Sequence, residues 1–248
     1  MICPKCGFEQ GEGMTTCERC GVIFAKVRRS SSAASAAPPV ASTAAVAGDL
    51  FGRLRGALVA VEPGEPDFFV VGRSLLFAAL VFWGWRFMSA TIASGYAAES
   101  MLHLTLLPFH EAGHVIFGVL GNRFLTVLGG TLGQLLVPLV VICAFLARRN
   151  PFAASVGVWW LGESFMDVAI YADDARAGEL PLLGGVTGSE VEDYHDWEVM
   201  LGKLGWLQYD HLIGRIFYGC GTILILLSLA WGALLLWRQV QLRRGRPG

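Results

Sequence analysis

His110, Glu111 and His114 stand in the order HExxH within "FHEAGHVIFG", residues 109–118. On a helix, positions i and i+4 share one face about a turn apart. Both imidazoles can then reach one tetrahedral ion while Glu111 stays beside the water such an ion would bind. Zn²⁺ brings that water's pKa to about 7, and a nearby carboxylate can take its proton as the oxygen attacks a carbonyl, which suits amide hydrolysis. The motif lies in an apolar run from Met101 to Leu120, where ionisable side chains are costly and by default mark function.

Two protein ligands leave a catalytic zinc site one short. "GESFMDVAIYADDAR" offers Glu163, Asp167, Tyr171 and Asp174 on one helical face. Depth favours Asp167, which like His110 falls near the middle of its segment. Asp174 is the alternative, with Glu163 and His195 behind it. His103 shares a face with His110, but seven helical residues rise about 10 Å, too far for a common ion; it reads as a helix-end polar contact. His195 and Asp196 precede "WEVMLGKLGWL". Asp196 can cap a short helix there, with Trp197, Met200, Leu201 and Leu204 as its apolar face, serving either as a lid or as a solvated cap.

Cys3, Cys6, Cys17 and Cys20 form two CxxC pairs, each followed by a glycine, Gly7 and Gly21. CxxC lets two thiolates from one turn meet the same ion, and glycine accepts the positive φ of that turn. So short a segment cannot bury a core, so residues 1–29 are expected to be a ribbon folded on a structural Zn²⁺. Two disulfides would need an oxidising compartment. Cys143 and Cys220, in apolar runs, read as packing residues.

The elements that must position these groups are apolar. Of the 248 residues 54% are hydrophobic and 16% charged, more apolar surface than one soluble core needs. The expected fold is mainly α, a multi-pass transmembrane helix bundle with four to five hydrophobic segments. These are Phe68 to Ile92, Met101 to Leu120, Phe124 to Leu146, Pro151 to Asp173 and Leu212 to Trp237. Arg73 and Arg86 can snorkel from the first, where Trp83 and Trp85 read as interfacial aromatics. The basic stretches "KVRR", "RRN" and "RRGR" belong in the cytosol, and the acid-leaning loop 175–211 outside. Five full crossings cannot put both termini on one side. Residues 124–147, with Gly129, Gly130, Gly133 and Pro138, are therefore expected to dip in and return beside a cavity.

"MICPKCGFEQ" lacks the apolar core of a signal peptide, so the amino end is expected in the cytosol. Residues 30–48 read as a disordered Ala/Ser/Pro tether and 49–67 as a juxtamembrane segment in which Leu50 to Val61 can lie on the membrane surface. Residues 68–238 form the membrane domain and 239–248 a basic tail. Basic residues are scattered and net charge is −1, which offers no face for nucleic acid.

HEAGH within a span, the glycine-rich "LGGTLGQLLVP" and a later span with an aspartate resemble the core of site-2-protease-type intramembrane zinc metalloproteases. Residues 70 to 211 are similar to peptidase-like bacterial membrane proteins that are sometimes fused to a small zinc ribbon. The resemblance implies a bacterial inner-membrane endopeptidase that hydrolyses membrane-associated protein substrates. Its ligands would be His110, His114 and Asp167 or Asp174, its general base Glu111, and its ribbon would meet a cytosolic protein partner. It also implies a strand edge for an extended substrate, for which "RFLTVLGG", residues 123–130, is the candidate. Neither Asp167-Val168 nor Asp174-Ala175 matches the Asp-Gly motif of that class, and no PDZ-like insertion is present. The alternative function is a non-catalytic membrane scaffold or sensor that holds zinc in both places.

Overall fold

The computed structural model describes residues 1–11, 13–24, 52, 56–61 and 66–244. The expected tether at 30–48 lies outside the described residues, as do residues 50, 51 and 53–55 of the expected surface helix, of which residues 52 and 56–59 are helical. The chain divides into two compact units, Met1–Leu54 and Arg55–Gly248.

In the small unit two similar knuckles each close on an isolated antiparallel bridge, Ile2 with Glu9 and Thr16 with Ile23. Gly7 and Gly21 both take φ 69°, and their amides return to the carbonyls of Cys3 and Cys17 at 2.9 Å. The left-handed turn expected after each CxxC is therefore present, for the reason that asks for glycine there.

The large unit is helical. Its elements are α1 (Asp67–Ser89), α2 (Met101–Gly118), α3 (Arg123–Ala147), α4 (Pro151–Asp173), α5 (Asp196–Leu204) and α6 (Asp210–Arg244). Side-chain caps start four of them. Ser100, Asn122, Asn150 and His195 accept from the amides of His103, Leu125, Ala153 and Glu198, satisfying donors a helix start leaves bare. The cap of α5 is thus His195, and Asp196, expected in that role, is the first helical residue.

α4 is the buried centre of the bundle, packed against α6 and α3, while α2 lies along α3. Small residues set these crossings. A Cβ at Gly113 would stand 2.0 Å from the Gly129 carbonyl oxygen, and one at Gly133 2.3 Å from that of Phe109. α2 and α3 therefore touch backbone to backbone, as small-residue seams allow in membrane helices. This is also why residues 124–147 do not dip and return: their glycines make a contact face in a continuous helix. "RFLTVLGG" is likewise helical and offers no strand edge.

Among the described residues three stretches are long and apolar enough to cross a membrane: α1, α3 and Leu207–Arg244. Four or five were expected. His103, His110, Glu111 and His114 dilute α2, as Glu163, Asp167 and Asp173 dilute α4, and those polar groups turn toward neighbouring helices. Trp83 packs on Phe87 and Trp159 rather than at an interface, whereas Trp85 is exposed. Cys143 and Cys220 are exposed on α3 and α6, not packed as expected.

Candidate metal centres

α2 carries both histidines of HExxH on the side facing α3. Donor atoms of His110, His114 and Asp196 lie within 4.8 Å of one another. Asp196 Oδ2 is 2.9 Å from His110 Nε2 and 3.1 Å from His114 Nε2. The carboxylate beside the imidazole pair is therefore Asp196, at the first turn of α5, rather than Asp167 or Asp174.

The outer nitrogens of both rings are tied down. His114 Nδ1 donates to the Thr126 carbonyl at 2.9 Å, an oxygen that can only accept. His110 Nδ1 meets Gln134 Oε1 at 2.9 Å, and the amide of Gln134 donates to Asp167 Oδ2 at 2.8 Å. With its nitrogen so engaged, Gln134 can only accept from His110. Both rings thus carry their proton on Nδ1 and turn the lone pair of Nε2 toward Asp196. Three lone-pair atoms crowded together repel unless a cation lies among them, so this donor set fits a divalent metal ion.

The remaining expected residues have other partners. Asp167 accepts from Gln134 and pairs with His103 Nδ1 at 2.8 Å, so both of its oxygens are taken. The chain His110–Gln134–Asp167–His103 crosses α2, α3 and α4, and His103, in the first turn of α2, is the polar contact at its end, as expected. Asp174 accepts from the amides of Glu179 and Leu180 at 3.0 and 2.9 Å and lies 3.4 Å from His195 Nε2. Burial pushes Asp174 up, yet His195 and those amides pull it below its ordinary range. Glu163 is fully buried in α4 and His195 fully buried at the cap; neither joins the metal group. Tyr171, whose hydroxyl accepts from the Asp196 amide at 3.0 Å, sets the start of α5 against α4.

Glu111 lines a cavity of about 490 Å³ together with the three donors, His103, Arg123 and Tyr171. Leu107 and residues 180–183 add apolar walls. Asp196 was missed as a donor because only folding brings α5 beside α2; its one sequence signal, an Asp at a helix start, reads equally as a cap.

In the small unit Cys3, Cys6, Cys17 and Cys20 also converge within 4.8 Å. Cys3 Sγ is 3.8 Å from Cys20 Sγ, and Cys6 Sγ 3.7 Å from Cys17 Sγ. Four sulfurs about 2.3 Å from a tetrahedral centre sit roughly 3.8 Å apart, whereas a disulfide needs about 2.05 Å. Burial disfavours the Cys3 thiolate, but the amides of Lys5 and Cys6 and the neighbouring thiols bring it down to about 6. The Phe8 amide favours a Cys6 thiolate, yet burial and the other three thiols push it up to about 12. One thiolate forms readily and the next is resisted by like charge, a conflict that a divalent cation removes.

Comparisons with protein-family models, curated proteins and solved structures return no match.

Proposed function

We propose that the helical unit is a membrane-embedded zinc endopeptidase acting on membrane-associated proteins, in line with its resemblance to site-2-protease-type enzymes. One observation carries this reading. His110, His114 and Asp196 converge with their lone pairs inward, in a cavity whose wall includes Glu111.

Two imidazoles and one carboxylate form a donor set suited to Zn²⁺, with a position left open. Bound there, the ion would supply a Lewis acid and acidify water to near neutrality. Gln134 and the Thr126 carbonyl keep both rings in the ligating tautomer. Glu111 takes a proton from the attacking water and passes it to the departing amine nitrogen. The apolar walls, Leu107 and residues 180–183, receive side chains of an unwound target segment and keep bulk water away. The four-cysteine unit is assigned a structural zinc and a cytosolic recruiting role.

Glu111→Gln removes the base and leaves all three donors. Zinc content should stay at the wild-type level while cleavage of a membrane substrate drops at least about 10²-fold. Undiminished cleavage by that variant would sink the reading. A wild-type protein that holds zinc yet cleaves no membrane protein would favour the scaffold or sensor role instead.

A further inference from the structure

α3 runs between two cavities. The metal group lies near its start, at Thr126; the second cavity lies past its end, at Arg148 and Arg149, roughly 35 Å away along the helix. This second cavity, about 160 Å³, opens among the first turns of α1, the connection from α3 to α4 and the last turns of α6. Its polar lining is Arg73, Arg148, Arg149, Asn150 and Gln239, and no Asp or Glu lines it among the described residues.

The Arg73 guanidinium is held in place, 5.7 Å over the Phe152 ring and 3.4 Å from Gln239 Oε1. No ion pair to Arg148 or Arg149 is found among the described residues. The guanidiniums of Arg148 and Arg149 at one small concavity repel one another, and a multivalent anion inserted there converts repulsion into attraction. Guanidinium forks match the oxygens of a phosphate and bind it through paired N–H donors.

The level of the cavity narrows the source. α1 begins here, and α3 and α6 end here; these helices account for the three stretches long and apolar enough to cross a membrane. Lipid headgroups of one leaflet would lie at this height. Leu75 and Leu76, further into α1 than Arg73, are exposed and give acyl chains an apolar path below a seated headgroup. We propose that this cavity binds a phosphate group, supplied by the headgroup of an anionic phospholipid.

The test uses the full chain in detergent with mixed phosphatidylglycerol and phosphatidylcholine, counting retained lipids by native mass spectrometry. Arg148→Gln with Arg149→Asn removes both charges; asparagine suits position 149, where φ is 53°. Arg215→Ala, an exposed arginine near the opposite end of α6, controls for charge alone. Wild type and the control should retain phosphatidylglycerol preferentially, and the double variant should lose about 30-fold in affinity for it, as expected for two interfacial cations. Lysine at both positions should recover most of the loss, and a circular-dichroism melt checks that each variant is folded. A second arm titrates inorganic phosphate without lipid. Stabilisation by phosphate that requires Arg148 and Arg149, with no lipid preference, would reassign the cavity to a soluble phosphate and overturn the lipid source. Equal retention of both lipids, or phosphatidylglycerol retention unchanged in the double variant, overturns the site.

Discussion

A carboxylate placed beside a metal can hold the ion or hold a ligand, and the two roles respond differently to substitution. Asp196 faces both imidazoles, whereas Asp167 reaches His110 only through Gln134. Asp196→Asn should therefore weaken zinc binding far more than Asp167→Asn, because an asparagine carbonyl at 167 can still accept from the Gln134 amide. Gln134→Leu keeps approximate bulk but leaves His110 Nδ1–H without its acceptor. Its zinc affinity should fall about 10- to 100-fold, in the range found for partners that orient ligating histidines. Competition against a chelator of known affinity measures all three variants. If Asp167→Asn lost the most, Asp167 would be a ligand after all and the relay would be misread.

At the scale of elements, the crossing of α2 and α3 is as important as the motif it carries. A Cβ at Gly130 would stand 2.6 Å from Nε2 of both His110 and His114, so it meets the rings; at Gly133 it meets backbone. Gly130→Ala should thus weaken zinc binding at least about tenfold with a modest change in melting. Gly133→Ala should lower the melting temperature outright by forcing the helices apart, and Gly72→Ala, with nothing within 4 Å of its Cβ, should do neither. The loop that delivers α5 has its own anchor in Asp174. Its folded pKa is depressed, so its stabilisation is full above the ordinary carboxylate pKa near about 4 and fades as pH falls through the folded value. Asp174→Asn should cost about 1 kcal/mol at pH 7, a gap that closes in melts run toward pH 3. These cases also mark what sequence can carry. HExxH and the CxxC knuckles were legible because their ligands sit within one helical or turn repeat. The glycines of α3 were legible as special, but whether they break a helix or pack one depends on a partner that periodicity does not name. Asp196 was beyond reach for the same reason, since depth and spacing compare residues within helices and α5 arrives from a loop.

For the whole molecule, two candidate metal groups in two compact units imply two separable dependencies on a metal ion. The four-cysteine unit buries little beyond Cys3, Cys17 and Phe24, too small a core to stand without an ion. The helical unit has extensive apolar packing around α4, a core large enough to fold without its ion. Elemental analysis should find about two zinc ions per chain, in keeping with one four-sulfur and one mixed-donor site. Cys17→Ser and His114→Ala should each remove about one of them, and the double variant both. Chelation should unfold the region around the knuckles, seen as rapid proteolysis of the amino-terminal segment, while the helical unit keeps its melting transition. If His114→Ala instead collapsed the helices as thoroughly as Gly133→Ala, the ion would be a structural staple of the bundle. The cavity beside Glu111 would then lose its claim to be a reaction site.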